Sequence, residues 1–494
     1  MYLLGFDVGS SSVKVSLIEA ETGICIGTSF YPKKEMDIIA RQSGWAEQNP
    51  QAWWENLKLA LKEVLNESGI SPNDIKSIGI SYQMHGLVLV DKKMNVLRPS
   101  IIWCDSRAVE TGNKAFNDIG NKKCLENLLN SPGNFTASKL KWVKDHEPGI
   151  YERIYKIMLP GDYIAMRLTG EINTTISGLS EGIFWNFRNN SLADFLFENY
   201  EISKDLIPEI LPTFSQQGNI SKVAAKELGL STNTTVSYRA GDQPNNAFSL
   251  NVLNPGEIAA TAGTSGVVYG ISDEIKYEPQ SRVNTFAHVN HSANKVRLGV
   301  LLCVNGTGIL NSWLKHNVAD GADYDDMNHM ASKAPIGSNN LHVLPFGNGA
   351  ERLLMNKNIG STFANINFNI HSKEHLLRAA QEGIVFALKF GLDIMENIGI
   401  KPVIIRAGNA NMFLSNIFRD TLSGITGAAI ELYDTDGSKG AARGAGVGSK
   451  IYKSYEEAFS YLKKISEIEP DTKNQQLYLD AYNNWLIELN RNIG

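Results

Sequence analysis

Phe6-Asp7-Val8-Gly9-Ser10-Ser11-Ser12-Val13-Lys14-Val15, near the N-terminus, is echoed past the middle of the chain by Thr261-Ala262-Gly263-Thr264-Ser265-Gly266-Val267-Val268. Each segment predicts strand, tight glycine-hydroxyl turn, strand. Such a turn aims several backbone N–H groups and small hydroxyls into one concavity, which suits phosphate oxygens. Two of these hairpins in one chain imply two related lobes that grip a nucleotide tail from both sides.

The 494 residues provide enough chain for two sizeable cores. With 43% hydrophobic and 20% charged residues, neither a disordered nor a fibrous class is indicated. A formal net charge of -5 without a long basic block argues against nucleic acid or an anionic membrane as partner, leaving a small molecule as the expected ligand. Cys25, Cys104, Cys124 and Cys303 show neither metal-site spacing nor disulfide-scaffold density, which fits reduced thiols. The start Met1-Tyr2-Leu3-Leu4 runs directly into a strand and reads as no secretory signal, and the apolar stretch around Leu298 to Val304 is far below the ~18 residues of a membrane span. A cytoplasmic enzyme is expected.

Tyr2 to Val8, Val13 to Ile18 and Ile24 to Phe30 predict a three-strand meander with a turn at Thr22-Gly23. Asn49 and Pro50 open a helix whose apolar stripe includes Trp54, Leu57, Leu61 and Val64, and Gly69 closes it. Ile75 to Ser81 predicts a strand ending in Tyr82-Gln83-Met84-His85-Gly86, and a second meander is expected from Leu87 to Val90 onward. Tyr238-Arg239-Ala240-Gly241-Asp242 ends another strand in a glycine-acid turn. Asn254-Pro255-Gly256 marks a lobe boundary, which divides the chain into residues 1–250 and 251–494. The second half predicts strands near Ile258 to Thr261, Val267 to Ile271 and Leu341 to Phe346, and a helix from Lys373 to Ile398 capped by Ser372. A strand over Pro402 to Arg406 follows, then a helix from near Asn411. Gly437 to Gly448 is rich in Gly and Ala, so its helix can approach a neighbour or ligand closely. The last ~40 residues read as helices of alternating polarity.

Phosphoryl transfer asks a protein to position donor and acceptor, neutralise oxygen charge and supply a base. Asp7, ending a strand just before the glycine turn, is placed to hold Mg²⁺, and Lys14 to reach the transferred group; a turn aspartate and a surface lysine are the plain alternative. Asp242, in Gly241-Asp242-Gln243-Pro244-Asn245-Asn246, is a candidate base for a sugar hydroxyl with Gln243 beside it, although Gly-Asp-x-Pro is also an ordinary turn. Trp103 falls at a strand end, as a sugar wall or a core residue, while Trp53, Trp54 and Trp142 read as packing. His288 with His291, and His371 with His375, lack a third ligand at zinc spacing and read as surface or loop histidines.

Taken together these pieces resemble the FGGY family of carbohydrate kinases, and within it the bacterial xylulose kinases, from Tyr2 to about Lys450. The ordered segments are Asp7 to Lys14, Gln83 to Gly86, Trp103 to Arg107, Phe135 to Val143, Pro160 to Tyr163, Gly241-Asp242, Gly263 to Ser265, and Gly408 to Ala410. The resemblance implies an α/β fold of two ribonuclease H-like lobes of the actin/hexokinase-like ATPase superfamily, with the sugar held mainly by the first lobe and ATP by the second, meeting in the cleft. It implies Asp242 as general base and Met84 and His85 at the sugar, where the residues themselves also put Trp103 and Gln243. Asp7 falls to magnesium and phosphate, Ser11, Ser12, Lys14, Gly263, Thr264 and Ser265 to phosphate, and Gly408 and Asn409 to adenosine. Relatives of this type often pair as homodimers.

Three positions depart from the family pattern. Gln243 stands where xylulose kinases usually carry Asn, Asn409 replaces a glycine of the adenosine loop, and Asn134 stands where an aromatic or small residue is usual. The expected reaction is transfer of the γ-phosphoryl of Mg-ATP to the 5-hydroxyl of D-xylulose. Ribulose, another ketose or a glycerol-like polyol is the alternative acceptor. A non-catalytic sugar sensor or a filament-forming nucleotide binder is the alternative class.

Overall fold

Alternation of apolar residues with small or polar ones from Tyr2 to Tyr31 gives three adjacent strands in the computed structural model, which describes residues 1–494 apart from the side chain of Glu351. They are β1 (Tyr2–Val8), β2 (Val13–Glu19) and β3 (Cys25–Tyr31). Helix α1 (Pro50–Ser68) follows: the Asn49 side chain accepts from the Gln51 N–H, and Gly69 ends it in the left-handed conformation. Trp53 and Trp54 are both fully buried on its inner face. With β4 (Ile75–Tyr82) and β5 (Thr235–Gly241) the first sheet has the order β5-β4-β1-β2-β3, antiparallel on the β2 side of β1 and parallel on the other.

The second half builds the same order again. Strands β6 (Glu257–Ala262), β7 (Gly266–Ser272), β8 (Asn284–Ala287), β9 (Leu298–Val304), β10 (Ile404–Gly408), β11 (Ala429–Tyr433) and β12 (Lys464–Ile468) form a sheet ordered β8-β9-β7-β6-β10-β11-β12. Its inner five, β9-β7-β6-β10-β11, repeat the order and the sense of pairing of β3-β2-β1-β4-β5. Each sheet therefore places one hairpin turn, at Gly9–Ser12 or Gly263–Ser265, at the end of its central strand.

Helices cover the sheets. Between β5 and β6, α2 (Asp242–Ser249) packs on both sheets. The long α3 (Lys373–Glu396) is buried over most of its length in the second core, where α5 (Gln475–Ile493) joins it through Trp485. Helix α4 (Gly437–Gly448) comes from the second half of the chain yet lies on the first sheet, against β1, β4 and β5. The approach is close: a β-carbon at Gly79 would stand 1.9 Å from the Ala441 carbonyl oxygen, so only glycine fits. Among the described residues no helix is long and apolar enough to cross a membrane, and no disulfide joins any of the cysteines.

Three expectations are corrected and one is extended. Asp242 does not sit in a turn but opens α2 directly after β5. The second meander forms as expected, the chain returning antiparallel through Val90 opposite Val96 and Leu87 opposite Ile101, but Val88–Val90 also pairs with the distant Lys156–Met158. The C-terminal region contains the edge strand β12, whose Lys-Ile-Ser-Glu-Ile alternation has the period of a strand. His288 is 1% exposed and faces the Tyr269 hydroxyl, so it is an interior residue.

Candidate active site

The two aspartates singled out in the sequence come together. Asp7 lies directly opposite Lys14 in the β1–β2 ladder, at the end of the central strand. Asp242 begins α2 two strands away, and the two carboxylates feel each other electrostatically. Each keeps part of its surface open while lying deep among protein atoms. Burial pushes Asp242 up to about 7, the Asp7 charge adds to the shift, and Gln243 opposes it through its backbone and side chain. Burial also raises Asp7, with Asp436 adding to it and the Ser81 hydroxyl and Lys14 opposing.

Residues from the second half complete this corner. Asp436 caps α4, accepting from the Lys439 N–H at 3.0 Å, and stands 3.5 Å from Lys14 Nζ. Gly437 packs against Asp7: a β-carbon there would meet Asp7 Oδ2 at 2.4 Å. The Asn245 side chain donates to the Gly437 carbonyl at 2.8 Å, tying α2 to α4. Gly408 and Asn409 lie just behind, with the Asn409 N–H donating to the Tyr433 carbonyl at 3.1 Å. A β-carbon at Gly263 would be 3.5 Å from Asn411 Nδ2, so the second hairpin reaches the same loop.

That hairpin lines a cavity of about 470 Å³. Gly263 and Thr264 form part of its wall, and Gly308, Ser312, Asn328, Asn411 and Ser415 provide further polar surface. Neither Asp7 nor Asp242 lines it, nor do Ser265, Gly408 or Asn409, so the cavity and the paired carboxylates are distinct features that the Gly263–Asn411 approach links. Ser265 donates to Asn305 at 3.4 Å, and the Gly308 N–H donates to the Gly263 carbonyl at 2.9 Å. In the first hairpin the Gly9 N–H donates to the Ser12 carbonyl at 3.0 Å, closing the turn, while Ser11 is exposed.

Met84 and His85 follow β4. Met84 is 4% exposed, and its thioether lies beside Gly241, the residue before Asp242. His85 adopts φ 60°, a left-handed conformation that costs a non-glycine residue and marks a position held by its surroundings. Its Nδ1 lies 2.9 Å from the Glu181 carbonyl oxygen, which can only accept, so Nδ1 carries the proton. Burial, with Lys139 nearby, lowers His85 to about 3, so the ring is neutral at pH 7 and Nε2 is left as an acceptor. The buried Lys139 donates to the carbonyls of His85 and Ile102, both at 2.9 Å, and so clips the two strand ends together. Trp103 is 51% exposed and donates to Ser10 Oγ at 3.3 Å, so it is no core residue. Buried Asp105 pairs with Arg107 at 2.7 Å and fixes the loop that carries it.

Sequence reasoning missed Asp436, Lys139, Glu181 and Gln48. The Gln48 side chain donates to the Ser10 carbonyl at 2.7 Å and braces the first turn. Asp434-Thr435-Asp436-Gly437-Ser438 and Asn305-Gly306-Thr307-Gly308 carried a visible signal, acid or amide followed by glycine and hydroxyl at a strand end. Glu181 carried none, since it ends a short helix of otherwise apolar and small residues.

Known proteins resemble this chain over nearly its whole length. The family model for the N-terminal domain of the FGGY family of carbohydrate kinases matches residues 2–249. The xylulose kinase of Bacillus subtilis (strain 168) is 28% identical, covering 98% of this chain and 96% of the relative. That of Escherichia coli (strain K12) is also 28% identical, covering 97% and 94%. Among solved structures, xylulose kinase from Rhodospirillum rubrum superposes with a TM-score of 0.90 at 23% identity over 99% of both chains. Plasmodium falciparum glycerol kinase with ADP gives 0.86 at 20% identity, covering 99% of this chain and 98% of that one. Repeated sheet order, hairpins and family match together place the chain in the FGGY family of carbohydrate kinases, with the actin/hexokinase-like fold, as a xylulokinase-like sugar kinase that uses ATP.

Proposed function

We propose that the enzyme transfers the γ-phosphoryl group of ATP to the 5-hydroxyl of D-xylulose, giving D-xylulose 5-phosphate and ADP. The observation that carries this reading is Asp242: a part-open carboxylate at a strand end, raised to about 7, beside Asp7 and the Met84-His85 pair. A base with that affinity for protons accepts one from an attacking hydroxyl efficiently near neutral pH. The full-length xylulose kinase relatives support D-xylulose as the acceptor.

In this reading residues 1–250 hold the sugar and supply the base, and residues 251–494 hold ATP. His85 Nε2 accepts from a sugar hydroxyl, Met84 and Trp103 wall the sugar, and Gln243 hydrogen-bonds it. Ser11, Ser12, Lys14, Gly263, Thr264 and Ser265 hold phosphate oxygens, with Gly408 and Asn409 at the adenosine. Asp7 is the carboxylate that fits Mg²⁺: it ends the central strand beside the glycine turn, with the Asp436 charge adding to the effect of burial on it. Bound there through Asp7, Mg²⁺ would neutralise phosphate charge. The reaction belongs in the cytoplasm, where ATP is abundant, and homodimers are expected by sedimentation.

A coupled ADP-release assay over pentuloses, hexuloses and polyols tests the reading. D-xylulose is expected to give the highest kcat/KM; a higher value for ribulose or glycerol would reassign the acceptor.

A further inference from the structure

Glu181 ends the short helix Ile176–Glu181 and is 2% exposed. Neither carboxyl oxygen has a hydrogen-bond partner among the described residues. Among the described residues the Tyr82 hydroxyl is the one polar side chain that approaches the carboxyl and opposes the effect of burial on it, without closing a well-formed hydrogen bond to either oxygen. Buried polar groups are almost always paired, and a carboxyl left alone in the interior is costly. That cost is retained at sites where a ligand supplies the missing bonds.

The location of the orphan carboxyl indicates which ligand. A β-carbon at Gly241 would stand 2.8 Å from Glu181 Oε2 and 2.6 Å from Met84 Cγ, so both side chains lie against the backbone immediately before Asp242. The carbonyl of the same residue holds His85 Nδ1 at 2.9 Å. Glu181 thus adjoins Met84, His85 and the Gly241-Asp242 step, all assigned above to the sugar. Burial pushes its carboxyl well above the usual carboxylate range, and the Asp242 charge adds to this. A carboxyl that keeps its proton both donates and accepts, which matches a sugar hydroxyl.

We propose that Glu181 is a specificity-determining residue, its carboxyl binding one hydroxyl of the acceptor sugar next to the catalytic base. The proposal rests on the ketose-kinase reading above. The test compares wild type, Glu181→Ala and Glu181→Gln by ADP release with D-xylulose, D-ribulose, L-ribulose and 1-deoxy-D-xylulose, which remove or invert hydroxyls singly. Glu181→Ala is expected to lower kcat/KM for D-xylulose roughly 10- to 100-fold, but no more than about threefold for the analogue in which the contacted hydroxyl is missing or inverted. Glu181→Gln keeps the size and lack of charge, and is expected to stay within roughly tenfold of wild type on D-xylulose while changing the ratio among the analogues. If Glu181→Ala does not fold, that ratio in Glu181→Gln decides: a shift supports the role and an unchanged ratio overturns it. Equal losses on every sugar, or none, overturn the role of Glu181 while wild-type turnover leaves the kinase reading standing. Wild type that phosphorylates none of the sugars overturns the kinase reading itself.

Discussion

Asp242 is asked to do two things that oppose each other. It must be charged to accept a proton, yet burial and the neighbouring Asp7 favour its neutral form and raise it to about 7. Its acid limb should therefore dominate the pH profile: kcat/KM is expected to rise with pH through about 7, with the apparent value belonging to the Asp7–Asp242 pair. Asp242→Asn should lower turnover roughly 10²- to 10⁴-fold in the ADP-release assay. The same substitution should leave the fold intact or strengthen it. Because the folded-state value is raised, the native state binds more protons than the unfolded chain between the ordinary carboxylate value and about 7, and stability falls as pH rises through that window. The melting temperature of Asp242→Asn is thus expected to exceed that of wild type at pH 8, with the gap narrowing toward pH 4. Activity near wild type in that variant would remove Asp242 from the role of base.

At the scale of elements, helix α4 lies on the first sheet because glycines on both surfaces remove the side chains that would hold them apart. Gly79→Ala would drive a β-carbon to 1.9 Å from a backbone oxygen that cannot turn aside. A loss of about 3 kcal/mol or more in urea denaturation is expected, at the upper end of overpacking costs. Gly437→Ala acts locally instead, displacing Asp7, and should reduce kcat while leaving the melting temperature comparatively unchanged. What could be read from the sequence follows the same logic of local against distant causes. Helix α1 was legible to the residue because Asn49, Pro50 and Gly69 are local capping signals. The glycine-alanine run predicted a close approach for α4, but not onto which sheet, since that partner lies hundreds of residues away in the chain. The pairing of Val88–Val90 with Lys156–Met158 was hidden for the same reason, whereas β12 carried a strand alternation that a helix reading overlooked. The hairpins and both aspartates were visible as motifs. Glu181 and Lys139 were not, because burial without a partner, or with carbonyl partners alone, is a property of the folded state.

The whole molecule repeats one sheet order twice and joins the copies along a polar seam. Asn130, fully buried, donates to the Thr285 carbonyl at 2.6 Å and accepts from the Thr285 N–H at 2.9 Å, on the free edge of β8. Ser180 accepts from the Ala287 N–H at 2.9 Å, and Ser177 donates to the Ala287 carbonyl at 3.1 Å. Side chains from the first half thus serve as the missing neighbour strand for the second sheet. Asn130→Ala should leave two buried backbone groups unpaired and cost about 1–3 kcal/mol. Since the groups belong to both halves, chemical denaturation should show one transition moved to lower denaturant, not a split into two.

The seating of α4 also determines how the polypeptide can be divided. Severed near residue 250, the leading fragment would present a bare strip floored by Gly5 and Gly79, and the trailing fragment would carry a loose, glycine-rich rod with nothing to lie on. Neither piece is self-sufficient, so the halves are expected to precipitate when expressed singly and to regain catalysis only when produced together.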